Sequence, residues 1–120
     1  MGSIHKATTY FRRVVELSKP GEFTAELALI RLSELYDAQE RYHEAIQCLA
    51  EAIVLRPDEA HYRLRQAELY VSIGELDTAS SLAYDAASDL LIRKESLNLL
   101  YRIARARNDE SAKKLARLLD

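Results

Sequence analysis

Three histidines, His5, His43 and His61, and one cysteine, Cys48, are the side chains of this 120-residue sequence best suited to act as general base, nucleophile or soft metal ligand near neutral pH. They stand singly. The sequence has no His-x-x-x-His or Cys-x-x-Cys pair, no Gly-rich phosphate loop and no nucleophile elbow. General acid-base work needs convergent, perturbed groups. The expectation is therefore a non-enzymatic protein with no cofactor and no metal. Cys48 lies beside Leu49 in an apolar run and reads as a small buried residue. A lone cysteine forms no internal disulfide, which fits a reducing compartment and gives cytoplasmic as the expected location.

Charge points the same way. Seventeen Lys and Arg against nineteen Asp and Glu leave a net charge of −2, so no overall basic field draws the protein to nucleic acid or membrane. Residues 93–120 are the exception, with eight basic residues (Arg93, Lys94, Arg102, Arg105, Arg107, Lys113, Lys114, Arg117) and four acids, a net of +4. Basic residues on the outer face of a terminal helix keep such an end soluble, and we read them so rather than as an RNA site. No stretch approaches 18 uncharged apolar residues, and the start lacks the charged end and apolar run of a signal peptide. Met1-Gly2 opens as a myristoylation site would, but Lys6 stands where Ser or Thr is wanted.

The elements that position these residues follow from composition and spacing. With 48% hydrophobic residues, 30% charged, three Gly and two Pro, the chain has a globular balance and few of the turn residues that strands need. Apolar residues recur three, four and seven apart, one face of a helix. Leu29, Leu32, Leu35 and Tyr36 make one stripe, and Ala45, Leu49, Ala52 and Ile53 the next. Seven helices are expected, at 4–18, 24–38, 42–55, 59–73, 76–90, 93–107 and 110–119. Pro20-Gly21-Glu22 is a linker, Pro57 stops the third helix, Asp58 caps the fourth, Gly74 breaks the chain between the fourth and fifth, and Asn108-Asp109 precedes the last.

The chain repeats itself. A shift of 34 lays Glu34-Leu35-Tyr36 on Glu68-Leu69-Tyr70, Arg31 on Arg65, Ala45 on Ala79 and Ala52 on Ala86. A further shift of 33 carries Ala79 to Ala112 and Ala83 to Ala116 and places Ile103 under Tyr70, a weaker third copy after one deletion. Ala7, Phe11 and Val14 have the spacing of Ala45, Leu49 and Ala52, so the first helix reads as the second half of a truncated repeat.

These residues resemble the tetratricopeptide repeat, a 34-residue helix-turn-helix unit. The first full copy offers Leu29, Leu32-Ser33, Tyr36, Tyr42, Ala45, Leu49, Ala52 and Pro57; the second offers Ala67, Tyr70, Gly74, Ala79, Ala83 and Ala86 but departs at Arg63, Gln66 and Leu91. The resemblance implies an all-α, right-handed α-solenoid of about seven antiparallel helices in a single domain, 1–120. Its parts would be a partial repeat helix (4–18), repeats at 24–57 and 58–91, and a degenerate or capping repeat at 92–120.

It also implies that the first helix of each hairpin lines a concave groove. That groove would carry Leu27, Ile30, Arg31, Glu34 and Asp37 from the first copy, then His61, Leu64, Arg65, Glu68 and Val71 from the second. The third adds Lys94, Leu97, Asn98 and Tyr101. Arg31 can pair with Glu34 along its own helix and merely keep the face soluble. Alternatively the face takes an extended or helical peptide, acids to Arg31 and Arg65, bases to Glu34, Asp37 and Glu68. Family members that hold a chaperone's C-terminal carboxylate use Lys, Asn, Asn, Lys and Arg where this chain has Ile30, Glu34, Arg65, Lys94 and Asn98. Only Lys94 matches, which argues against that subtype. The expected partner is thus a protein or peptide, bound by a scaffold or adaptor, with no nucleic acid and no membrane span. The alternative is a structural assembly segment that docks or self-associates through its terminal helices, since Phe11 and Val15 lack a preceding hairpin to cover them.

Overall fold

The computed structural model describes residues 2–19, 21–107 and 111–119, leaving the side chains of 2 and 111–113 aside. Pro20 of the linker, Asn108-Asp109, and the side chains of Ala112 and Lys113 lie outside the described set. The described residues form seven helices and no strand: α1 (Gly2–Leu17), α2 (Thr24–Ala38), α3 (Tyr42–Leu55), α4 (Ala60–Ser72), α5 (Leu76–Ala87), α6 (Arg93–Ala106) and α7 (Ser111–Leu119). Each is amphipathic and gains its stability from the neighbour it buries against. The chain divides into two compact units, residues 1–58 and 59–120.

In the first unit α2 packs on α1 and on α3. Leu29, Leu32, Ala45, Cys48, Leu49 and Ala52 are essentially inaccessible to water, and Tyr36 closes the end of the stripe. Ser33, also buried, satisfies its hydroxyl by donating to the Ile30 carbonyl at 2.7 Å. Glu26 is buried with its carboxylate on Arg56, Nε to Oε1 at 2.9 Å, and that guanidinium also lies 4.7 Å from the centre of the Phe23 ring. One side chain thus fastens the start of α2 to the end of α3.

In the second unit successive helices pack in order and α4 also touches α6. The core is Leu64, Ala67, Ala79, Ala83, Ala86, Leu99, Leu100, Ile103, Ala104 and Leu115. The three alanines of α5 are fully buried, as close helix approach requires. Helix α5 ends at Ala87 rather than 90, because Ser88 donates its hydroxyl to the Asp85 carbonyl and Asp89 accepts from the Leu91 amide, turning the chain out of the helix. The start of α4 differs from expectation too. Its N-cap is Glu59, which accepts from the His61 amide, and not Asp58.

The 34-residue interval is written in the backbone. Glu40 donates its amide to the Asp37 carbonyl (2.9 Å) and Arg41 to the Tyr36 carbonyl (2.8 Å); 34 residues on, Gly74 donates to Val71 (3.0 Å) and Glu75 to Tyr70 (2.9 Å). This is a Schellman closure, and it needs a left-handed residue: Gly74 has φ 82° and Glu40, a non-glycine, φ 60°. Tyr36 and Tyr70 occupy equivalent places at the two helix ends. The third copy keeps the slip of one: the buried stripe Ser96, Leu99, Leu100, Ile103 is that of Leu29, Leu32, Ser33, Tyr36 displaced by one interval of 34 and one of 33.

Candidate functional site

The outward faces of α2, α4 and α6 carry the residues of interest, because each of these helices spends its opposite stripe on the core. On α2, Leu27 is 55% exposed, Ile30 and Glu34 are half-buried, and Arg31 and Asp37 face water. Arg31 donates to Glu34 at 3.1 Å along the helix. That exposed pair contributes a few tenths of a kcal/mol, about 0.2–0.5, so it can be exchanged for contacts to a ligand at little cost. In the second unit His61, Glu68, Lys94 and Asn98 are exposed and Arg65 and Tyr101 half-buried, with the Arg105 guanidinium 5.9 Å from the Tyr101 ring centre.

Leu64 does not belong to this face. It is 3% exposed and sits in the core of 59–120, because α6 lies against α4 and covers it. Val71 and Leu97 likewise pack against that core.

Concavities in the first unit escaped sequence reasoning, among them one of about 360 Å³ walled by Thr8, Thr9, Arg12, Arg13, Glu16 and Tyr36 and the two that follow. One, of about 450 Å³, lies among Val15, Ala25, Leu29, Val54 and Leu55 with Lys19 at its edge. The other, about 270 Å³, lies between α1 and α2 and is walled by Tyr10, Phe11, Val14, Leu27, Ala28 and Arg31. Half of the last was visible as the apolar stripe Ala7, Phe11 and Val14 of α1; Tyr10 was left out of that stripe, although it stands three residues after Ala7 and four before Val14.

The side chains suited to catalysis are dispersed. Among the described residues no group of three or more His, Cys, Asp or Glu comes together to hold a metal ion. Cys48 is fully buried, and burial pushes its thiol pKa up although the Arg12 guanidinium lies 3.6 Å from Sγ. The same Arg12 reaches Glu51 of α3 at 3.3 Å. Among the described residues no helix is long and apolar enough to cross a membrane.

With this geometry in view, the family model of the tetratricopeptide repeat matches residues 27–59, which span most of α2, all of α3 and the turn between them. No curated protein matches the chain.

Proposed function

The chain carries a tetratricopeptide repeat over residues 27–59, a motif suited to binding other proteins, and on that premise we propose that it is a non-catalytic scaffold or adaptor. Its ligand is a peptide or subunit segment laid on the outward face of α2, and within 59–120 the outward faces of α4 and α6 offer a surface of the same kind. The observation that carries the reading is the face of α2. Leu27 and Ile30 offer apolar contact while Arg31, Glu34 and Asp37 offer both signs of charge, on a helix whose other stripe is committed to packing. Such a surface suits recognition of an extended or helical peptide by complementary charge and a few apolar anchors. In the second unit the same role falls to His61, Arg65, Glu68, Lys94, Asn98 and Tyr101. A free, buried Cys48 is consistent with a reducing, cytoplasmic setting.

Charge reversal tests this. Glu34→Lys combined with Glu68→Lys should weaken binding of a basic peptide more than about tenfold and leave the thermal transition in place, since neither side chain belongs to a core. Unchanged affinity measured by titration calorimetry removes these faces from the mechanism.

A further inference from the structure

The two hairpins lead into the next helix differently. Where the first ends Arg56-Pro57-Asp58, the second has Leu90-Leu91-Ile92, 34 residues on. Ile92 packs against the core of 59–120, but Leu90 is 77% exposed and Leu91 90%, more than any other large apolar side chain described. The loop that carries them is fixed. The Leu91 amide donates to Oδ1 of Asp89 at 2.9 Å, the Ile92 amide to the Asp89 carbonyl at 3.3 Å, and Arg93 Nε to the Ala87 carbonyl at 3.0 Å. Two leucines are thus held out into water on a tied backbone, and burying them requires little further ordering. The first unit offers a counterpart in its concavity of about 450 Å³, which lies where the end of α1, the start of α2 and the end of α3 meet. Its apolar walls are Val15, Ala25, Leu29, Val54 and Leu55, with the charged side chains Lys19, Glu22 and Glu51 among them.

We infer that the Leu90-Leu91 tip of one molecule seats in this concavity of a second copy. Size permits it. A cavity of about 150 Å³ takes a benzene ring, so about 450 Å³ has room for two four-carbon side chains and the turn that bears them. Charge directs it. The acids Asp85 and Asp89 precede the leucines and the base Arg93 follows them. In the concavity Glu51 is already paired with Arg12 at 3.3 Å, which leaves Lys19 to meet the acids and the exposed Glu22 to meet the base. The two surfaces are unlike, so a molecule that has used its tip keeps its own concavity for another. Association of this kind closes into a ring, a reciprocal dimer included, or runs on as a filament. Because it joins two molecules, the contact does not depend on how the two units of one chain are placed. None of these residues belongs to the faces assigned to the peptide ligand, so the two readings fail separately.

Sedimentation of the full chain should show its average mass rising with concentration beyond that of a single molecule. Leu90→Ser with Leu91→Ser removes the tip and Val54→Glu charges the concavity, and each should weaken association by about tenfold or more. All three side chains are exposed, so circular dichroism should show unchanged melting. Mixing the two variants is the decisive measurement. One retains the concavity and the other the tip, so together they should form a one-to-one dimer and nothing larger. A synthetic peptide of residues 85–93 should dissociate assemblies of the unaltered chain, and the same peptide carrying Leu90→Ser and Leu91→Ser should not. The proposal is overturned if the chain stays monomeric throughout, if its association ignores these substitutions, or if the mixed variants do not combine, since the contact would then pair like surfaces or lie elsewhere.

Discussion

The hairpins α2–α3 and α4–α5 close their turns with the same backbone hydrogen bonds at an interval of 34 residues, but they fill the space between their helices differently. Leu49 of the first hairpin stands where the second has Ala83, Leu32 where it has Gln66, and both Leu49 and Ala83 are buried to the same degree. The two interiors share the buried alanines Ala45 and Ala52, Ala79 and Ala86, and differ at the position between them, where the first has the reach of a leucine and the second a third alanine. The repeat thus fixes the turn and the spacing along the chain, while the distance between helices is set by whichever side chains occupy it.

Exchanging the two fillings is the sharpest test of that contrast. Leu49→Ala should lower stability by about 2–5 kcal/mol, since the leucine hairpin cannot close over the void, readable as a fall in the urea midpoint. The reciprocal Ala83→Leu imports the first hairpin's own residue and should still cost about 1–3 kcal/mol through overpacking. If Ala83→Leu melts with the parent chain, the two interiors have equal room and the contrast is broken.

The turns supply a smaller, paired effect. A Cβ at Gly74 would meet nothing within 4 Å, so Gly74→Ala isolates the backbone cost of a left-handed residue, about 1 kcal/mol. Glu40→Gly should shift stability the other way, by up to about 1 kcal/mol. Opposite signs in thermal melts confirm that the turns are equivalent; equal signs separate them.

Smallest of all is a pH effect confined to the first turn, where the side-chain hydrogen bond from Arg41 at 2.6 Å lowers the pKa of Glu44. The second turn has Glu75 and Thr78 at those places and no such pair. A lowered folded-state pKa means stability that is present above the ordinary carboxylate range and lost as pH falls through the folded value. The Glu44 side chain is 43% exposed and its pair with Arg41 lies at the surface, so Arg41→Gln should raise its midpoint in a carboxyl NMR titration while hardly moving the melting temperature.

Much of the fold was legible because a helical stripe is a one-dimensional signal: the seven helices, the alanine positions and the one-residue slip before the third copy all follow from spacing. What spacing cannot carry is which neighbour covers a face. Leu64 aligns with half-buried Ile30, yet α6 buries it; Glu26 looks like an ordinary first-turn acid, yet is buried on Arg56, 30 residues away. Capping failed by one residue at Asp58 for a local reason, since neighbouring acids compete for the same amides and backbone geometry at Glu59 decides between them.

Arg56 is the last residue before Pro57, and through Glu26 and Phe23 it ties a knot in the thread just short of the point where the first unit gives way to the second. A protease cutting beyond Asp58 would release a fragment with that knot still drawn, whereas Arg56→Ala would leave a buried carboxylate without its cation and let the fragment's loose end unravel.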